Sequence, residues 1–353
     1  MKKQIDIEKL VRQNILDLQP YRSARDDYDS GILLDANENS FGAPFEDDLE
    51  LNRYPMPYQE ELRSKIAEFR AVTPQHIFVG VGSDEAIDLL FRIFCKPGED
   101  RVLITPPTYG MYKVSAKIND IAVDEVLLTE DFQVRVQETL DTVSKNTKLL
   151  FLCSPNNPTG NSLRKSDILK IADSFQGIVV LDEAYIDFSE QESFAKEVLG
   201  RTNLVILQTM SKAFGLAGIR LGIALASPEI INLMMKVKAP YNINKLSSKA
   251  ALKGFRYINA MKGKVEQIKS ERKQVIARLK SIPEVEKIYP SDANFLIFRI
   301  ADAINIYKKL ADKGVVIRYR GNEPHCENCL RLTIGTQDEN ARFFDAFNAV
   351  IKG

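Results

Sequence analysis

At 353 residues the chain is long enough for about two domains and a large buried core. Apolar residues make up 44% and charged residues 27%, near the averages for folded proteins, which excludes disordered, collagen-like and disulfide-scaffold classes. Lys plus Arg balance Asp plus Glu at 48 each, so no basic excess marks a nucleic-acid binder.

The chain opens on MKKQIDIEKLVRQN, too charged for the apolar region of a signal peptide, and no apolar run approaches the ~20 residues that span a bilayer. A cytoplasmic location without membrane contact is therefore expected. Short apolar runs then alternate with amphipathic stretches. HIFVGVG (76–82), RVLITPP (101–107), TKLLFLCSP (147–155), GIVVLDEAY (177–185) and NLVILQT (203–209) read as buried strands, with helices over 84–94 and 164–175. That alternation implies an α/β layer with a mostly parallel sheet flanked by helices. From about 244 to 280 the pattern is long helix. Its basic stretch Met261–Lys280 carries Met261, Val265, Ile268, Ile276 and Leu279 near helical spacing, a solvated face over a buried stripe. NFLIFRI (294–300), a helix over 303–312, GVVIRY (314–319), LRLTIGT (330–336) and a final helix QDENARFFDAFNAVI point to a smaller α+β unit. The expected division is 1–50 as an N-terminal arm joining the small domain, 51–250 as the large domain and 251–353 as the small one.

Two histidines leave little room for a Ser/His/Asp enzyme or a His-rich metal site. Cys95 and Cys153 sit in apolar runs and read as core residues. Cys326 and Cys329 form a lone CxxC beside His325, without a second ligand pair, so no metal site is expected.

In open α/β sheets ligands collect at the carboxyl ends of the strands, so the polar residues after each strand-like run carry the function. VGVGSDEAIDLL (79–90) has Glu85 where a nicotinamide-binding GxGxxG needs its third glycine. It reads better as a strand, a glycine turn and a helix whose first amides, at Gly82, Ser83 and Asp84, bind an anion. Tyr109, in PPTYGMY, follows the next strand and is either a core tyrosine or a stacking platform. CSPNNPTG (153–160) is by itself good turn chemistry. VVLDEAYIDF (179–188) ends a strand on Asp182, a carboxylate that needs a cationic partner if buried, or else serves as a helix cap or structural ion pair. In TMSKAFGLAGIRLG (209–222), Lys212 is either a surface lysine or an amine tuned by its surroundings for Schiff-base chemistry. Arg331, in CLRLTIGT (329–336), must meet a counter-charge, and a guanidinium suits carboxylate or phosphate.

The segment 209–222 resembles the cofactor-lysine motif of the pyridoxal-phosphate (PLP) enzymes of fold type I. LVRQNILDLQPYRSARDDY (10–28), LLDANENSFG (33–42) and NRYPMPYQEELR (52–63), together with DEAYIDF and CLRLTIGT, narrow the resemblance to the histidinol-phosphate aminotransferases. It runs from about residue 10 to the end. The family implies a PLP-transferase fold, with Lys212 holding the cofactor and Thr209, Ser211 and Arg220 contacting its phosphate beside the cup of Gly82, Ser83 and Asp84. It also implies that Asp182 pairs with the pyridinium nitrogen, that Tyr185 and Asn157 hydrogen-bond the ring's phenolic oxygen, and that Tyr109 stacks on the ring. Arg331 becomes the clamp on the substrate's anion, with Arg318 as a second donor. Tyr21 and Arg25 would help close the pocket. Tyr54 would reach the cofactor phosphate of a partner subunit in an obligate homodimer.

The implied reaction is ping-pong. Lys212 takes the substrate Cα proton and returns it at the cofactor carbon, histidinol phosphate gives up its amine, and 2-oxoglutarate leaves as glutamate. An aromatic-amino-acid aminotransferase and a threonine-phosphate decarboxylase share most of these residues and are the rivals in the same fold. A non-catalytic regulatory protein would need an added DNA-binding module, for which the chain has no room. Two features depart from the family's habit: the GNEPHCEN stretch before Arg331, and Ser83 where alanine is frequent.

Overall fold

The structure is a computed structural model that describes residues 4–352 other than Asp29 and Asp47. After a short helix α1 (Gln13–Leu16), the chain runs through α2 (Glu60–Arg70), β1 (Ile77–Val81), α3 (Gly82–Phe94), β2 (Arg101–Ile104), α4 (Met111–Ile118) and β3 (Ala122–Glu125). There follow α5 (Val136–Thr142), β4 (Thr147–Cys153), α6 (Lys165–Ser174), β5 (Ile178–Asp182), β6 (Leu204–Thr209), β7 (Leu221–Leu225) and α7 (Pro228–Val237). The last part comprises α8 (Lys245–Arg256), α9 (Ile258–Lys280), β8 (Val285–Ile288), β9 (Phe295–Ile300), α10 (Ala303–Asp312), β10 (Arg318–Tyr319), β11 (Cys329–Thr333) and α11 (Gln337–Ile351).

Seven strands form one sheet in the order β1-β7-β6-β5-β4-β2-β3. Its central strands are apolar almost without interruption because helices cover both faces: every residue of β5 and β7 is buried. Two large apolar clusters lie on the two sides, one around Leu150, Leu181 and Ile206, the other around Phe91, Phe151 and Val180. β2, β4, β5 and β6 run parallel, while β7 is antiparallel to both β6 and β1. Two reversals make β1 parallel to β6. The carboxyl ends of β1, β2, β4, β5 and β6 therefore share one edge, and β7 begins there, directly after Arg220.

Four antiparallel strands, β10-β11-β9-β8, make the second sheet. α10 and α11 cover it through Leu310, Phe343 and Phe347. A capping box at Thr336 and Glu339 starts α11, which satisfies two of the orphan amides of its first turn. A third cluster, built from Tyr185, Phe188, Met261, Val265 and Phe295, joins the two sheets through α9. The Asp292 amide, donating to the Gly160 carbonyl at 2.7 Å, adds a polar tie.

The expected strands and helices occur, most of them trimmed by one to four residues, while the helices over 303–312 and from Gln337 keep their bounds and the one expected from 84 starts at Gly82. The long helix expected from 244 to 280 is two, because the run breaks at Tyr257 between α8 and α9. GVVIRY keeps only Arg318–Tyr319 as strand. The edge strand β3 and the central β7 were not foreseen. All four cysteines are buried free thiols. No described helix is long and apolar enough to cross a membrane.

Candidate active site

The shared carboxyl edge opens into a cavity of 580 Å³ lined by residues from both sheets. Its floor begins at the turn from β1 into α3. Gly82 takes φ +72°, in the left-handed region where glycine is free of strain. An added Cβ there would come within 2.7 Å of Arg220 Nη2. α3 starts without a side-chain cap; the Gly82 amide donates to the Arg220 carbonyl at 2.8 Å, which leaves the amides of Ser83 and Asp84 available at the positive end of the helix dipole. Beside them lie Thr209, whose hydroxyl donates to Ser211 Oγ at 3.0 Å, and Arg220, half exposed and 3.5 Å from Asp84 Oδ2. Tyr109 donates to Asp84 Oδ1 at 3.2 Å, and burial pushes its phenol above the usual tyrosine range. Amides, hydroxyls and a guanidinium together make a cradle for an anion.

Asp182 ends β5 and is 3% exposed. Its Oδ2 accepts from Tyr112 Oη at 2.8 Å and its Oδ1 from the Ala184 amide at 3.0 Å. No basic side chain pairs with it among the described residues. Burial raises its pKa, the two hydrogen bonds opposing the shift. A buried carboxylate in this state suits a cationic group docking against it.

Lys212 follows β6, half-buried, with Nζ 5.5 Å from the centroid of the Tyr185 ring. Among the described residues its amine has no hydrogen-bond or ion-pair partner. Burial lowers its pKa, and the positive field of Arg331 adds to the shift. A lysine so placed is a better nucleophile and base near neutral pH than a solvated one. Tyr185, nine-tenths buried, stacks edge-on against Phe295, its phenol pKa raised chiefly by burial.

The far end of the cavity belongs to arginines. Arg331 Nη1 donates to Asn157 Oδ1 at 2.5 Å, and its guanidinium lies 5.2 Å from the Phe295 ring. Burial and then the neighbouring Arg320 lower the Arg331 pKa to about 10, Tyr185 opposing the shift and Arg318 adding a smaller push downward. Asn157 spends its carbonyl oxygen on Arg331, so its amide nitrogen is left to donate into the cavity.

Gly82, Ser83, Asp84, Tyr109, Asn157, Asp182, Tyr185, Thr209, Ser211, Lys212, Arg220, Arg318 and Arg331 thus all line one cavity. Three expected residues do not. Tyr54 is half exposed and stacks on Tyr241 at 4.7 Å. Tyr21 borders a separate small pocket with Tyr58 and Tyr241. Arg25 is drawn into ion pairs with Glu38 at 2.5 Å and Asp35 at 3.5 Å. The sequence reading also passed over lining or supporting residues: Thr108, Tyr112, Arg320 and Glu323. Tyr112 gives no usable signal, being fully buried in α4 while Tyr109 precedes that helix.

The pattern of the class I and II aminotransferases matches residues 29–347 of the chain. The chain belongs to this family. A histidinol-phosphate aminotransferase of Christiangramia forsetii is 48% identical over 349 residues, covering 98% of both chains. One of Flavobacterium johnsoniae is 48% identical over 341 residues, covering 95% of this chain and 96% of the relative. Among solved structures, the histidinol-phosphate aminotransferase of Clostridium acetobutylicum superposes with a TM-score of 0.79 at 25% identity, covering 86% of this chain and 91% of that one. The Sinorhizobium meliloti histidinol-phosphate aminotransferase, determined in complex with pyridoxal-5'-phosphate, gives 0.80 at 23% identity over 90% of each chain, a likeness of fold.

Proposed function

We propose that the chain is a histidinol-phosphate aminotransferase that moves the amino group of L-histidinol phosphate to 2-oxoglutarate, giving imidazole-acetol phosphate and glutamate in histidine biosynthesis. The observation that carries this is the 48% identity, over 98% of both chains, to a relative of that name. The cavity supports it through its own chemistry, an unpartnered lysine between a buried carboxylate and an arginine cluster.

Pyridoxal 5'-phosphate fits these residues. The unfilled amides at Ser83 and Asp84 beside the Gly82 turn, with Thr209, Ser211 and Arg220, suit its phosphate; the uncompensated Asp182 suits its pyridinium nitrogen; Asn157 and Tyr185 suit its phenolic oxygen. Lys212 Nζ is the point of covalent attachment. The bound cofactor supplies an electron sink for the negative charge that develops at the substrate Cα. Asp182 would keep the ring nitrogen protonated, and Tyr112 holds Asp182 in place. Tyr109 packs against the ring face. Lys212 Nζ, the amine that would hold the cofactor, would also be the group that takes the substrate Cα proton and gives it back, base and then acid. Arg331, with Arg318, clamps a phosphate in one half-reaction and a carboxylate in the other.

A homodimer in the cytoplasm completes the proposal, with Tyr54, Tyr21 and Arg25 acting at the subunit boundary. Ile32, Leu34 and Phe41 support it: they are 91%, 78% and 102% exposed in the single chain, more apolar surface than a monomer ordinarily leaves in one segment. We assign 1–50 to an arm, 51–250 to the large domain and 251–353 to the small one, a division supported by the two sheets.

The test is glutamate formation from histidinol phosphate and 2-oxoglutarate by the PLP-loaded protein. Parallel double-reciprocal lines and slower turnover of phenylalanine support the proposal. Faster turnover of an aromatic amino acid, or carbon dioxide release from threonine phosphate, overturns it.

A further inference from the structure

The arginine end of the cavity holds more charge than two anion-binding residues explain. β10 and β11 pair antiparallel with Arg318 opposite Arg331. The pairing continues one step further, the Arg320 amide donating to the Cys329 carbonyl at 2.8 Å. Side chains alternate along a strand, so Arg318 and Arg320 emerge on one face, the face that Arg331 shares from across the ladder. Like charges opposed in this way destabilise a hairpin unless an anion lies between them.

Among the described residues, one carboxylate pairs with them at this end of the cavity. Glu323 lies 3.9 Å from Arg320 Nη1, a loose pair at the outer limit of contact. Arg320 is 20% exposed, and its Nε is buried without a hydrogen-bond partner. Burial and the neighbouring Arg318 both lower its pKa, so the site holds this cation at a cost. Arg331 is already engaged with Asn157. The spare donors in the cluster therefore belong mainly to Arg320 and Arg318.

We propose that Arg320 is the specificity-determining residue for a phosphate-monoester dianion, a third guanidinium that a carboxylate co-substrate does not need. Glu323 is its resting counter-ion and is displaced when the dianion enters. A carboxylate offers two oxygens and one charge, which Arg331 and Arg318 satisfy. A phosphate offers a third oxygen and a second charge, and Arg320 supplies the matching donors. The inference rests on the proposed aminotransferase reading for the identity of the two substrates.

The experiment compares the two half-reactions of the PLP-loaded protein in R320Q and its parent, by stopped-flow absorbance. The expected result is a fall of about 10–100-fold in the rate constant ratio for histidinol phosphate, the range for one charge-assisted hydrogen bond, with the glutamate half-reaction changed by less than about threefold. Inorganic phosphate, competing against glutamate, is expected to lose affinity for R320Q to a similar degree. E323Q, a second variant that keeps Arg320, should bind inorganic phosphate more tightly than the parent. Equal losses in both half-reactions, or unchanged phosphate competition in both variants, overturn the inference. A parent protein that ignores histidinol phosphate but is inhibited by inorganic phosphate through Arg320 overturns the substrate reading and leaves the dianion site standing.

Discussion

Arg331 Nη1 donates to Asn157 Oδ1 across 2.5 Å, joining β11 of the four-stranded sheet to the turn after β4 of the seven-stranded one. One hydrogen bond thereby couples the proposed anion clamp to the residue proposed to face the ring oxygen of the cofactor. The bond aims the guanidinium and orients the Asn157 amide at the same time. Arg331 is also held by its contact with the face of Phe295.

A lysine at 331 keeps the charge but loses the planar fork and the stacking. R331K is expected to lower kcat/KM by about 10–100-fold in both half-reactions, because both substrates present an anion there. Separate single-turnover rates for histidinol phosphate and glutamate check this. A loss confined to one substrate contradicts the shared clamp.

Asp182 is buried without a cationic partner among the described residues, and the proposed cofactor would supply one. D182N removes that carboxylate while Tyr112 can still donate to the new amide oxygen. The apo variant is expected to be more stable than the apo parent by about 1–3 kcal/mol, the cost of an uncompensated buried polar group. With PLP bound the order should reverse, and activity should be lost. Thermal unfolding of both proteins, with and without PLP, provides the four values.

Gly222 faces Gly80 across the β1–β7 pair, and a Cβ there would lie 2.1 Å from the Gly82 carbonyl carbon and the Ser83 nitrogen. Both are backbone atoms and cannot swing aside. G222A is expected to destabilise the fold by about 1–3 kcal/mol and to displace the amides at the start of α3. Weaker PLP binding, measured by equilibrium dialysis, should accompany the lower melting temperature. Normal cofactor affinity would remove these amides from the phosphate cradle.

Glu38 organises the segment that carries Tyr54 and Arg25. Burial alone would raise its pKa, but the Tyr54 amide, Arg25 and Arg53 outweigh it and bring the pKa down to about 2 from 4.5. A carboxylate depressed on folding adds stability that is complete above the unfolded value and fades as pH falls through the folded one. The contribution is therefore present at neutral pH and disappears between about 4.5 and 2. E38Q should speed exchange of the Tyr54 amide hydrogen at pH 7, and the ratio to the parent should shrink towards one near the lower limit. A ratio independent of pH would contradict the charge-based clamp.

Much of this site was legible because strand ends are where apolar runs stop, and Lys212, Asp182 and Asn157 each follow such a run. Arg320 was not legible. Its place in the cavity depends on the β10–β11 register continuing past Tyr319, and a two-residue strand leaves no periodicity to read. Tyr112 is fully buried and reads as core, since nothing in the sequence shows that its hydroxyl meets Asp182 on a strand 70 residues away. β7 was hidden because LGIAL begins inside the lysine motif, directly after Arg220, and runs against its neighbours. In the proposed homodimer the positions of Tyr54 and Tyr21 relative to a cofactor would depend on a second chain, which no single-chain pattern encodes.

The central claim is that Lys212 holds PLP and releases it to histidinol phosphate. Borohydride reduction of the holoenzyme, followed by peptide mass mapping with and without a prior addition of histidinol phosphate, tests it in one comparison. The expected result is a pyridoxyl group on Lys212 without the substrate and its loss when the substrate is added first. A label on another lysine, or one on Lys212 that histidinol phosphate fails to remove, would contradict the claim.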